Sequence, residues 1–140
     1  MKKLIFSIAV VFTLLLSTVG FVGAISWSSA QTFKIPSFGA WSEPSSAYRK
    51  KTKACTYGYM EALKDTSSLS KYGDFIKSGT ETKTRVTKNF YKIHVNNLTK
   101  MNYTETNAKS KTLTVRARAS GENFEPSAGT VISAKFSADN

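Results

Sequence analysis

A single histidine, His94, and a single cysteine, Cys55, have the widest chemical repertoire in this chain of 140 residues. A histidine acting as general base needs a nucleophile within hydrogen-bond reach and a group that orients its ring. No Ser-His-Asp grouping can be argued around His94. Alternation along Val86 to Asn96 sets it on the solvent face of a strand, beside Lys92. Cys55 has no partner for an intramolecular disulfide. Free cysteine is among the most buried residue types, so an inert core thiol is expected, with intermolecular pairing as the alternative. One Cys and one His exclude a zinc site. The carboxylates are scattered; Glu122 and Glu125 share a loop, but no calcium-loop motif accompanies them. Nothing marks a glycosidase pair. The sequence therefore predicts no catalytic residue, no metal site and no cofactor.

Basic residues carry the stronger signal. Arg49, Lys50, Lys51 and Lys53 cluster, and Arg116, Arg118 and Lys135 project from the wet faces of segments expected to be neighbouring strands. The formal net charge is +11, and such a field attracts polyanions. The predicted partners are an anionic cell-wall polymer or a membrane surface, met through these seven residues. Lysines also keep strand edges soluble, which is the competing use of the same charges. No recognised nucleic-acid module is visible, so sequence-specific nucleic-acid binding is not expected.

The elements that must hold these residues read as strands. Thr32 to Ile35 is a short edge strand with Phe33 and Ile35 on one side. Cys55, Tyr57 and Tyr59 alternate with Thr56, Gly58 and Met60, which places the first three on the core face. Tyr72, Phe75 and Ile76 face inward from either a strand or a helical turn. Val86 to Asn96 sets Tyr91, Ile93 and Val95 on one face, Asn96-Asn97 turns the chain, and Leu98 to Glu105 is a weaker strand. Asn107 to Lys111 reads as a polar turn. In Thr112 to Ala119, Leu113, Val115, Ala117 and Ala119 form an apolar face against Thr114, Arg116 and Arg118. Ile132, Ala134 and Phe136 repeat the pattern in Thr130 to Ser137. Five to seven short strands with no convincing amphipathic helix predict an all-β domain, a small antiparallel β-sandwich or barrel.

Met1 to Ala24 reads as a secretory signal peptide. Lys2 and Lys3 precede an uncharged apolar stretch, and Val22-Gly23-Ala24 offers small residues for cleavage; Ser28-Ser29-Ala30 is a second possible cut. Leu4 to Val22 also approaches the ~20 residues that span a bilayer, so a retained anchor is the alternative. Thr13, Ser17, Thr18 and Gly20 weaken that alternative. Removing Lys2 and Lys3 leaves a charge of +9. The expected organisation is residues 1–24 as signal peptide, 25–46 as an extended lead-in and 47–140 as one β domain, secreted or held at the cell surface.

Phe33-Lys34-Ile35, Tyr48-Arg49-Lys50-Lys51-Thr52, Leu113 to Ala119 and Thr130 to Ala134 together resemble small secreted proteins of unknown function from low-GC Gram-positive bacteria. More distantly, the layout is similar to that of secreted β-sandwich bacteriocins. The resemblance implies a signal peptide, a terminal β-hairpin and no assigned functional residues; it does not extend to Glu61 to Lys83. Charge and resemblance together predict a non-enzymatic cationic domain that binds an envelope polyanion or membrane surface. The alternative is a structural protein that self-associates through strand edges.

Overall fold

The computed structural model describes residues 25–122 and 129–139. The expected signal peptide and the tip of the last loop lie outside them. Among the described residues, no helix is long and apolar enough to cross a membrane.

Among the described residues, eight strands, more than the five to seven expected, form two four-stranded antiparallel sheets. In chain order they are β1 (Gln31–Ile35), β2 (Arg49–Lys50), β3 (Tyr57–Asp65), β4 (Lys71–Lys77), β5 (Tyr91–Ile93), β6 (Leu98–Asn102), β7 (Thr114–Ser120) and β8 (Thr130–Ser137). The first sheet runs β1-β8-β3-β6 and the second β2-β7-β4-β5. The sheets meet through Phe75, which packs on Phe136 and Tyr103 with ring centroids 5.8 and 6.2 Å apart. Close approach depends on two glycines. A Cβ on Gly73 would lie 2.7 Å from Met60 Sδ, and one on Gly58 would lie 2.4 Å from the Ser137 carbonyl.

Alternation worked where strands were regular. Val115, Ala117 and Ala119 of β7 and Ile132, Ala134 and Phe136 of β8 are buried, as is Cys55. It failed in β3, where Gly58, Met60 and Ala62 face the core and Tyr57 and Tyr59 face outward. Cys55 precedes the strand, so its burial says nothing about the strand's parity. Gly58 fixes the phase, because no side chain fits between Ser137 and Phe75. In β4 only Phe75 of the three expected residues points inward. Tyr72 and Ile76 pair across from Ser120 and Arg116 on the outer face. Val95 is exposed rather than continuing the inward face of β5. The expected polar turn after β6 holds a short helix, α1 (Glu105–Lys109).

β7 and β8 do not pair with each other. They belong to opposite sheets, so Arg116 and Arg118 lie on one outer face and Lys135 on the other. A Gly-containing loop between two alternating segments reads as a hairpin, but the same loop can cross between sheets.

Hydroxyls complete the ladder where the chain is irregular. Ser42 N–H donates to the Ala119 carbonyl (2.8 Å), and Ala119 N–H donates back to Ser42 Oγ (3.1 Å). Ser45 does the same with Ala117, Ser28 with Phe136, and Thr66 with Val131. In each pair the side-chain oxygen replaces the carbonyl that a regular strand would present. The Ser-rich lead-in is thereby fastened to both sheets.

Candidate functional site

The fold divides the seven basic residues named from sequence. Arg49 donates through its two terminal nitrogens to the Tyr48 and Trp27 carbonyls. Arg116 donates to the carbonyls of Ser45 and Pro44, tying the lead-in over β7. Lys135 meets Glu61 at 2.9 Å and lies over the Trp27 ring. Arg118 grips Asp74 through two bonds, Nε to Oδ1 at 3.0 Å and Nη2 to Oδ2 at 2.5 Å. Each of these four has a structural task.

Asp74 is fully buried although it lies on the outer face of β4. The Arg118 guanidinium covers it and in turn stacks over Trp41, 4.7 Å from the ring centroid. Burial pushes the Asp74 carboxyl above the usual aspartate range; Arg118, bonded to it, and the more distant Arg85 pull the other way without cancelling the shift.

Lys51 is 0 % exposed. Its Nζ donates to the carbonyls of Asn107 (2.7 Å), Ala108 (2.5 Å) and Ser110 (2.8 Å). These are carbonyls at the C-terminal end of α1, where the helix runs out of its own donors; the Asn107 carbonyl also accepts the Ser110 N–H at 3.3 Å. The ammonium supplies all three with donors, and burial lowers its pKa. The Lys51 N–H also donates to the Leu113 carbonyl. One lysine thus stitches the 49–53 segment to a segment 57 positions downstream.

That stitch joins two basic segments. Lys50 and Lys53 flank Lys51 and are exposed, and Lys109 and Lys111 flank the carbonyls it binds and are exposed too. The acidic groups nearby are Glu105, exposed on α1, and Asp139. The Asp139 carboxylate is held by the Thr52 N–H (3.0 Å) and hydroxyl (2.6 Å) and approached by Cys55 Sγ at 3.6 Å. Tyr103 lies beneath Lys51, its ring 5.2 Å from Nζ, and donates to the Ala138 carbonyl. Burial raises the Tyr103 hydroxyl well above the usual tyrosine value. Lys109 and Lys111 were missed in the sequence because nothing local joins them to residue 50. Lys51 was misplaced because its run of basic neighbours reads as uniformly solvated.

His94 is exposed near the β5–β6 turn. Among the described residues, no group of three His, Cys, Asp or Glu side chains could hold a metal ion. Comparison with protein-family models, curated proteins and solved structures finds no match for this chain.

Proposed function

We propose that this chain is a secreted, non-enzymatic binding domain whose basic end meets a phosphate-bearing polyanion of a cell envelope. We read the two facing sheets as a β-sandwich, in keeping with the resemblance to small secreted Gram-positive proteins and, more distantly, to β-sandwich bacteriocins. The observation that carries the reading is the Lys51 stitch, which joins the segment bearing the exposed Lys50 and Lys53 to the segment bearing the exposed Lys109 and Lys111. Four exposed ammonium groups on a framed surface would gain affinity by releasing counterions from the polyanion. Of the seven residues first named, Lys50 and Lys53 remain in this role. Self-association through strand edges is less favoured, because the strands bordering the sheets have only two to five residues and short edges are poor templates.

The test is binding to poly(glycerol phosphate) and, separately, to phosphatidylglycerol vesicles. Affinity should fall at least tenfold between ~50 and ~200 mM salt. Replacing the four lysines by glutamine should remove binding while the circular dichroism spectrum stays unchanged. Binding to the polymer alone identifies an envelope polymer, and binding to vesicles alone identifies a lipid surface. Affinity indifferent to salt, or surviving the fourfold replacement, would refute the proposal.

A further inference from the structure

On the outer face of the second sheet, Trp41, Tyr72 and Phe90 come together in a corner. Phe90 stands between the other two, edge-to-face with Tyr72 (5.6 Å, 89°) and steeply inclined to Trp41 (6.3 Å, 68°). The three rings line an open cleft of about 480 Å³ together with Gly39, Ser120, Gly121 and Glu122. Three separate segments supply these residues. Trp41 is placed by its bridge to Ser120 and by the Ser42 clip onto Ala119. Tyr72 is fixed in β4, opposite Ser120. Phe90 immediately precedes β5.

Two properties set this corner apart. Phe90 is 54 % exposed, so its ring presents apolar surface to any occupant of the cleft. The second is charge: in a chain with net charge +11, the one charged residue lining the cleft among the described residues carries a carboxylate, Glu122. Arg118 lies over the Trp41 ring but does not line the cleft, and its charge is taken by Asp74. Its position also displays what the indole attracts, a cation over its face. Negative ring faces at steep mutual angles beside a carboxylate suit a cation whose charge is spread over methyl groups. They repel an anion.

We propose that the Trp41–Tyr72–Phe90 corner, with Glu122 at its rim, is a binding site for an organic ammonium ion such as a quaternary amine. The methyl groups lie against the rings and Glu122 supplies the counter-charge. The site is separate from the basic end and does not depend on the function proposed for it.

The experiment titrates the full chain with choline chloride while following the indole N–H signal of Trp41 by NMR. A saturable shift with a Kd of roughly 1 mM is expected, within the range for a small ligand in an open site. The neutral isostere 3,3-dimethylbutan-1-ol should bind at least tenfold more weakly, about 1.4 kcal/mol. Phe90→Ala should weaken choline binding about fivefold, and Glu122→Gln about threefold, on the scale of exposed cation–π contacts. Both positions lie outside the buried core, and an unchanged amide spectrum checks the fold. Replacing Lys50, Lys53, Lys109 and Lys111 by glutamine should leave choline binding as it was. No saturable shift, equal binding of the neutral isostere, or a shift produced by glucose in place of choline would each overturn the proposal. The last outcome would make the corner a sugar site.

Discussion

At the basic end a buried cation, Lys51, underlies exposed cations; at the aromatic corner a buried anion, Asp74, underlies a cleft whose lining charge is a carboxylate. The two differ in what neutralises the buried charge. Lys51 is held by three backbone carbonyls, so its partners are dipoles that fix the path of a chain segment. Asp74 is held by a full charge on another side chain, which is itself stacked on Trp41. The comparison teaches that a buried ion can organise a surface in two ways: by shaping backbone, or by placing one side chain against another.

Removing Asp74 should do the most damage. Asp74→Ala leaves the Arg118 guanidinium, only 11 % exposed, without its partner, and should cost about 3–5 kcal/mol in a denaturant titration. The pair Asp74→Leu with Arg118→Met should recover most of that loss, since apolar replacement of a whole buried ion pair is often near neutral. Failure to recover would mean that Arg118 is needed to seat Trp41.

Lys51→Met comes next. It takes a donor from three carbonyls at the end of α1, of which Asn107 keeps the Ser110 N–H, and a loss of about 2–4 kcal/mol is expected. No single apolar partner change can repair it, because the acceptors are main chain. Amide exchange should quicken across residues 105–113 and stay unchanged at Tyr72 and Ser120. Equal effects in both places would erase the distinction between the two surfaces.

The pH dependence separates them further. The unfolded Asp74 carboxyl titrates near ~3.9, and the folded one above that. Between the two values the folded state holds more protons than the unfolded state, so this group's contribution to stability falls as pH rises through the window. The difference between wild type and Asp74→Asn, measured from pH ~4 to ~7, should show that slope. An opposite slope would mean that Arg118 outweighs burial. The smallest effect belongs to Lys109→Gln and Lys111→Gln, which should change stability by less than about 0.5 kcal/mol while weakening polyanion binding.

How much of this was legible in the sequence follows from how local each cause is. The inward faces of β7 and β8 needed only alternation, and their small and β-branched residues supplied it. The phase of β3 depended on Ser137 and Phe75, which reach Gly58 from elsewhere in the chain. Helix α1 is too short to have a periodicity of its own and is completed by Lys51. The basic end was half visible, in Lys50 and Lys53, because its other half arrives through that same stitch. The aromatic corner was not visible, since Trp41, Tyr72 and Phe90 come from three segments with unrelated patterns.

The serine clips along β7 carry a consequence for motion. A conventional edge strand leaves its neighbour by peeling, with each ladder bond passing strain to the next. The contacts at Ser42 and Ser45 each pair one main-chain bond with one that closes through a χ1 rotor, so turning the side chain releases half of the contact while the main-chain bond and the pairing of β7 with β4 stay. Rotamer flips are fast compared with the unzipping of a sheet. The segment carrying Trp41 is thus buttoned at separate points, and turning the Ser42 side chain would slacken one of them while the Ser42 main-chain bond and the Trp41–Ser120 bridge keep that wall of the aromatic corner on the sheet.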